Sequence, residues 1–337
     1  MNLKMFRNSL RLFTNTHRLA SRRFLSTQGT SGSSKNSNLP YQLIAATITF
    51  GGGYYIAHNR GWLGSKGEQD HHHEVVVEDK KPKIVEALPE VVPYLIIGAG
   101  TAAYSASRTI KGTDATAKIL MITAEDYEPY MRPPLSKELW YSGVDLKKRF
   151  TFQQYSGKEK SIFFEHDEFY LPYDKLAQSE KGGISVLTGH RVVKLDPTDR
   201  KAYLDNGQVI TYDKCLIATG GEPKNLKVFK DAPQDVQNRV ILFRTIDDFK
   251  KLNELLPKTK SITIIGGGFL GSELAVSLSE KKNRIKSNVK INHMFTENGV
   301  LSRVLPGYLS FFTSKMILNE GKYLISIIFT GFDLCLF

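Results

Sequence analysis

The sequence predicts an α/β fold in which two units repeat the same order of elements. In each unit, a short apolar run leads into a glycine-rich turn, a helical segment and a second apolar run. Buried parallel strands read as nearly continuous apolar runs, because helices cover both faces of their sheet. The repeated order therefore predicts two βαβ units, each built on a parallel sheet.

The first unit begins with the apolar run 91–97 (VVPYLII), which we predict to be a strand. Residues 98–103 (GAGTAA) form a GxGxxA turn that opens a helix. The first glycine allows a tight turn, and the second lets backbone N–H groups approach a pyrophosphate at the helix N-terminus. The next strand, 118–123, ends beside Glu125, whose carboxylate is placed to accept hydrogen bonds from ribose hydroxyls. The pattern predicts a dinucleotide site formed by Gly98, Ala99, Gly100, Thr101, Ala102 and Glu125.

The second unit repeats this order with strand 261–265, the full GxGxxG turn 266–271 (GGGFLG) and strand 289–295, which ends near Glu297. Two Rossmann-type units in one chain indicate two dinucleotides, an arrangement typical of electron transfer between NAD(P)H and FAD. A carboxylate at Glu297 favours NADH, because it would accept from the ribose and repel the extra phosphate of NADPH. Arg303 lies only six positions after Glu297, so NADPH remains the alternative nucleotide. The predicted contacts of this unit are Gly267, Gly268, Phe269, Leu270, Glu297 and Arg303.

The first ninety residues predict a targeting sequence, a membrane anchor and a linker. Residues 1–28 are rich in Arg, Ser and Thr and predict a mitochondrial transit peptide, with a basic disordered arm as the alternative. The uncharged stretch 41–57 is just long enough to cross a membrane as a helix. A buried helix, or the end of a longer leader, is the alternative for that stretch. Residues 58–90 predict a flexible linker, in which three adjacent histidines, 71–73, do not preorganise a metal site.

The charge distribution argues against nucleic-acid binding on charge alone. The formal net charge is +12, and nine Lys or Arg residues lie within 1–67, before the first acid, Glu68. Subtracting nine from twelve leaves +3 for residues 68–337, so most of the basicity belongs to the leader. The two cysteines, Cys215 and Cys335, are far apart and support neither a disulfide framework nor a cysteine-rich zinc site.

Three further segments carry a resemblance to a known family. They are 129–140 (PYMRPPLSKELW), 157–162 (GKEKSI) and 260–275 (KSITIIGGGFLGSELA). Together they resemble the apoptosis-inducing-factor family of the FAD/NAD-linked reductases, over about residues 91–321. The resemblance implies a glutathione-reductase-like fold with an FAD-binding domain over 91–257 and an NADH-binding domain over 258–337.

The resemblance also implies roles for individual residues. Lys137 and Glu273 would pair near the isoalloxazine edge and shape the site of hydride transfer. Arg132, together with Lys137, would approach the flavin and its phosphates. Further flavin contacts would come from Val192 and Arg244, and the NADH side from Glu273, Glu297 and Arg303.

At the level of function, the resemblance implies a mitochondrial FAD-dependent NADH oxidoreductase with roles in respiratory-chain maintenance and cell death. Its electron acceptor is not written in the sequence. The implied location is the inner membrane facing the intermembrane space, with the nucleus after release. Implied partners are the import machinery of that space, a second copy in an NADH-dependent homodimer, and DNA through Lys214 and Lys224.

The chain departs from the family pattern after Lys322. The nearly uncharged segment 323–337 does not resemble the family, and we expect both domains to be incomplete. A third strand over 323–329 is expected in the second unit, and apolar surface is expected to be exposed where parallel sheets lack cover. The alternatives to the enzyme are therefore a non-catalytic binding partner in the intermembrane space and an inactive isoform.

Overall fold

The computed structural model describes residues 47–50, 84–141, 150–154, 156–320, 325–330 and 333–336. The predicted transit peptide over 1–28 and the three histidines at 71–73 lie outside these residues. The strands are β1 (Thr47–Phe50), β2 (Val91–Ile97), β3 (Lys118–Ile122), β4 (Thr151–Gln153), β5 (Glu159–Ser161), β6 (Gly183–Leu187), β7 (Val192–Asp196), β8 (Lys201–Leu204), β9 (Val209–Ile217), β10 (Val240–Leu242), β11 (Ser261–Ile265), β12 (Lys290–Phe295), β13 (Ile325–Thr330) and β14 (Asp333–Leu336). The helices are α1 (Thr101–Thr113), α2 (Glu138–Tyr141), α3 (Tyr173–Leu176), α4 (Lys227–Lys230), α5 (Gln234–Gln237), α6 (Ile246–Leu255), α7 (Phe269–Ile285) and α8 (Gly307–Glu320), with short 3₁₀ turns at Pro133–Ser136 and Asp167–Phe169.

The first sheet has the strand order β6-β3-β2-β9-β8-β7, and its first four strands run parallel. Ile97 pairs with Ile122 on one side and with Ile217 on the other, so three strands end at the same edge. Helix α1 makes the crossover from β2 to β3, as the sequence predicts. Apolar side chains are buried on both faces, which explains why these strands are nearly continuously apolar.

The second sheet has the order β10-β1-β11-β12-β13-β14, with β11, β12 and β13 parallel. Helix α7 connects β11 to β12, and α8 connects β12 to β13. The predicted third strand is confirmed as β13, which starts at Ile325. Strand β10, at 240–242, belongs to this sheet, although it precedes the predicted domain boundary at 257.

Buried side chains from 130–140, 150–152 and 162 belong to the core of the second sheet. Trp140 is fully buried, and its ring meets Phe249 of α6 edge-on, with ring centroids 4.7 Å apart. Its indole Nε1 donates to the Leu135 carbonyl at 2.7 Å, so the buried polar atom is satisfied. Burial of this aromatic anchor places the neighbouring Lys137 against α7.

The predicted membrane helix over 41–57 differs from the structure where the two can be compared. Thr47–Phe50 is strand β1, antiparallel to β10 and β11, and the rest of 41–57 lies outside the described residues. Two threonines, an isoleucine and a phenylalanine favour an extended strand, and the gap between two strands satisfies both of its backbone edges. Among the described residues, no helix has the length and apolarity to cross a membrane.

The expected exposure of apolar surface is seen at the carboxyl end of β9. Leu216 and Ile217 are exposed there, although both belong to an apolar strand that pairs with β2. On α8, the side chains of Tyr308, Phe311 and Phe312 are also exposed. Groups of large exposed apolar residues are uncommon on the surfaces of monomeric soluble proteins.

Candidate functional site

The first glycine turn has the geometry of a phosphate-binding helix N-terminus. Gly98 has a φ of +110°, and a Cβ at this position would collide with the Ala218 carbonyl oxygen. Gly100 caps α1 without a side-chain hydrogen bond, and a Cβ there would meet nothing within 4 Å. Gly100 therefore borders open space at the N-terminus of α1, where the backbone N–H groups of a first helical turn can bind a pyrophosphate. Beside them lie the other predicted residues, Ala99, Thr101 and Ala102, all at least partly exposed.

The structure brings three predicted flavin-side residues together. One carboxylate oxygen of Glu125 accepts from Arg132 Nη2 at 2.5 Å, and the other accepts from the Tyr130 hydroxyl at 2.6 Å. Arg132 Nη1 also donates to the Arg244 carbonyl at 3.1 Å. Each carboxylate oxygen keeps a second lone pair, so Glu125 can still accept from a ribose hydroxyl.

Tyr130 was missed at the level of the sequence. Its hydroxyl holds Glu125, and burial, with the Glu125 hydrogen bond, raises the pKa of Tyr130. The hydroxyl is therefore a donor at neutral pH. An aromatic residue two positions before Arg132, in a loop that resembles a flavin-binding loop, was the signal that could have identified it.

Arg244 and Val192 lie in different surroundings. The Arg244 guanidinium covers the turn after β9, where its Nη2 lies 3.2 Å from the Cβ position of Gly220. Val192 begins β7, pairs with Leu204 and packs against the core of the first sheet. The structure places Arg244 beside the Glu125 cluster, whereas the described contacts of Val192 are core contacts.

The second glycine turn repeats the first with tighter packing. Gly266 has a φ of +119°, and a Cβ on Gly271 would collide with the Gly266 carbonyl oxygen. A Cβ on Gly267 would lie 3.0 Å from the Phe295 side chain, so a larger residue there would require that side chain to shift. Gly268 caps α7 without a side-chain hydrogen bond, and the next residues in the turn are Phe269, which is half-exposed, and Leu270. This N-terminus also fits a phosphate.

Lys137 and Glu273 form the expected pair and join the two units. Lys137 Nζ lies 2.8 Å from Glu273 Oε2, and the Ser136 hydroxyl donates to the same oxygen at 2.6 Å. The Ser136 carbonyl accepts from the buried Ser277 hydroxyl at 2.8 Å. Glu273 is the fifth residue of α7, so this network fixes the flavin-side loop to the helix that opens at the second turn.

Glu297 and Arg303 also lie together at the end of β12. Arg303 Nε is 3.2 Å from Glu297 Oε1, with the arginine more than half exposed. At a ribose-binding position, the Glu297 carboxylate would repel the 2′-phosphate of NADPH, whereas the Arg303 guanidinium would attract it. The pair is therefore the place at which a substitution can test the preference between NADH and NADPH.

The other predicted residues show ordinary surface or packing contacts. Lys214 Nζ lies 5.2 Å from the centroid of the Tyr94 ring, a cation–π contact, and Lys224 is exposed. Cys215 is a half-buried free thiol, and burial raises its pKa. Within the part of the chain that the structure describes, no group of three metal-ligating side chains converges.

The fold has two glycine turns at the carboxyl ends of parallel strands, which is the architecture of a protein with two dinucleotide-binding units. The chain belongs to the pyridine nucleotide-disulphide oxidoreductase family, whose sequence profile matches residues 92–305. Within this family it is similar to an apoptosis-inducing factor 1 of Drosophila melanogaster, with 49% identity over 71% of this chain and 33% of the relative. It is also similar to apoptosis-inducing factor 1 of Dictyostelium discoideum, with 37% identity over 72% of this chain and 44% of the relative.

Solved structures share the fold. A ferredoxin reductase from Rhodopseudomonas palustris superposes with a TM-score of 0.53 at 24% identity, covering 73% of this chain and 54% of that one. NADH:rubredoxin oxidoreductase from Clostridium acetobutylicum gives a TM-score of 0.51 at 25% identity, covering 70% and 53%. The chain thus spans between a third and about half the length of these relatives.

Proposed function

We propose that this chain carries the FAD and NADH sites of a mitochondrial NADH oxidoreductase similar to apoptosis-inducing factor 1. The observation that carries the proposal is the Lys137–Glu273 bridge, which joins a flavin-side loop to the helix of a second dinucleotide turn. Two such turns would bring two cofactors to one place, as electron transfer between them requires. Relatives named as ferredoxin–NAD(+) reductase components support this class of reaction.

FAD would be held by the first turn and the Glu125 cluster. The N-terminus of α1 would bind the pyrophosphate, Glu125 would accept from the ribose, and Arg132 would place a positive charge near the phosphates. When bound, FAD supplies hydride acceptance from NADH and onward electron transfer. The chain itself orients the two nucleotides, and Lys137 and Glu273 keep a fixed charge pair between them.

The test is a visible absorbance spectrum of the purified 337-residue chain, which keeps strand β1, after incubation with FAD and removal of free FAD. We expect a flavin spectrum that bleaches on adding NADH without oxygen. A folded protein that takes up no FAD would sink the enzyme proposal and leave a non-catalytic binding partner, the second hypothesis. An unfolded chain would support an inactive isoform.

Changing Glu273 to glutamine tests the bridge. The amide keeps the shape of the side chain but loses the negative charge that binds Lys137 and Ser136. The side chains of Lys137 and Glu273 are each about one-quarter exposed. Partial exposure holds the loss to about 1 kcal/mol, so we expect NADH-dependent bleaching to slow about fivefold with FAD content unchanged. Glu280→Gln, on the same helix about 10 Å further along, is the matched control. Equal rates for E273Q and E280Q would contradict the role.

Changing Glu297 to alanine tests the nucleotide preference. Removal of the carboxylate frees Arg303 for the extra phosphate of NADPH, so the NADH-over-NADPH preference in kcat/KM should fall about tenfold or more. The double variant E297A/R303Q should gain little NADPH activity, because the freed guanidinium is gone. An unchanged preference in E297A would mean that this pair does not meet the ribose.

Location and partners form part of the same proposal. The two relatives are named as mitochondrial, and the leader 1–28 supports the same address for this chain. We propose attachment to the inner membrane, exposure to the intermembrane space, and contacts with import machinery, a second copy and, after release to the nucleus, DNA. Because Thr47–Phe50 is strand β1, the attachment is not assigned to 41–57. A fluorescent protein fused after residue 90 should enter mitochondria, and its resistance to alkaline carbonate extraction tests the anchor. A fusion protein that stays outside mitochondria would contradict the proposed mitochondrial targeting by residues 1–28.

A further inference from the structure

His293 occupies a core position of strand β12. It has 0% exposure and lies between Ile291 and Phe295 on the same buried side of the strand. The usual residue at such a position is apolar, because a buried imidazole must recover the hydrogen bonds that it loses from water.

The ring makes its hydrogen bond to the second glycine turn. Nε2 of His293 lies 2.9 Å from the Gly266 carbonyl oxygen. A carbonyl only accepts, so Nε2 carries the proton and donates, while Nδ1 is a bare lone pair. Within the described residues, Nδ1 is buried and has no hydrogen-bond partner. Among the described residues, the hydrogen bond of this ring is therefore the one that it donates to the turn.

Gly266 is the point at which the chain leaves β11. Its N–H donates to the Met294 carbonyl at 2.8 Å, and its carbonyl accepts from the neighbouring His293 side chain. Gly271 of α7 packs directly on this carbonyl and leaves no room for a side chain. The consecutive residues His293 and Met294 of β12 thus bind the carbonyl and the N–H of Gly266, at the turn between β11 and α7.

At the corresponding position of the first unit, the residue has no side-chain donor for the glycine carbonyl. There, the Gly98 N–H donates to the Ile122 carbonyl, so Ile122 corresponds to Met294 and Met121 corresponds to His293. Met121 is fully buried but has no N–H to donate from its side chain. The donor is thus particular to the second turn.

We infer that His293 is a positioning residue that orients the second glycine turn for a dinucleotide phosphate by holding the Gly266 carbonyl. The inference rests on the proposed NADH site. His293 itself would contact neither NADH nor the reacting atoms. Its effect reaches the nucleotide through the backbone N–H groups that follow Gly266.

The experiment compares His293→Met, which copies the first unit, with His293→Gln, whose amide N–H can donate to the same carbonyl. We expect H293M to weaken NADH binding about tenfold, with FAD content unchanged, and H293Q to stay within about threefold of wild type. Amide hydrogen exchange without NADH should quicken across 266–270 in H293M alone. Met121→Leu is the matched control in the first turn.

Wild-type NADH affinity and exchange in H293M would overturn the inference, as would equal losses in H293M and H293Q. His293→Leu replaces H293M should that variant not fold. If the wild-type protein binds no NADH, the proposed function fails by itself, and the exchange comparison between H293M and H293Q still decides the role of the histidine.

Discussion

Replacing Gly271 with alanine is expected to lower the free energy of unfolding by about 3 kcal/mol and to abolish NADH binding. The added Cβ would lie far closer than 3.0 Å to the Gly266 carbonyl oxygen, which is backbone and cannot swing away. Helix α7 would have to move off strand β11, at a cost near the upper end of that for overpacked cores. The same movement would displace the N-terminus that is proposed to hold the phosphate.

Ala103 provides the control for this prediction. It is the third residue of α1, as Gly271 is of α7, and its methyl group is fully buried without conflict. Changing Ala103 to glycine should cost about 1.5 kcal/mol, from backbone entropy and one lost buried methyl group. Urea unfolding of the two variants measures both effects. A G271A midpoint equal to that of wild type would show that the helix and strand are farther apart than described.

The second large effect is a loss of stability in acid caused by His293. Burial lowers the pKa of this imidazole from 6.5 to about 4. Between these two values, the unfolded chain binds a proton that the folded chain does not, so stability falls as the pH drops from about 6.5 toward 4. A shift of this size corresponds to about 3 kcal/mol, and above pH 6.5 the group contributes no pH dependence.

The difference between wild type and H293Q isolates this group, because carboxylates that titrate in the same range are common to both proteins. Urea unfolding at pH 7 and pH 4.5 should show a larger loss for wild type, by about 2 to 3 kcal/mol. Parallel losses in the two proteins would mean that the imidazole is accessible to water or protonates without unfolding.

Much of the fold could be predicted, because the information is local. Strands β2, β3, β11 and β12 are short apolar runs, and each glycine turn follows its strand directly. The pairing of Lys137 with Glu273 came from resemblance, since two residues 136 positions apart show no shared local pattern. Strand β1 could not be predicted as a strand, because the same uncharged run also suits a membrane helix.

The positions of the site residues depended on packing that no local pattern reveals. Trp140 of the loop 129–140 packs on Phe249 of α6, and Lys137 of the same loop pairs with Glu273 of α7, contacts that no local sequence pattern reveals. Tyr130 and His293 became visible only through their partners, the Glu125 carboxylate and the Gly266 carbonyl.

The sequence by itself determined that two strand-turn-helix units are present, where each turn lies and which acid follows each second strand. These features repeat at short spacing, and short-range sterics and apolar periodicity dictate them. Only the tertiary structure decided which side chains share a charge, which carbonyl receives the buried imidazole, and why Gly271 cannot be the alanine that the first unit carries. Those outcomes depend on distances between elements far apart in the chain, which are set when the core packs and most buried polar atoms gain a hydrogen-bond partner.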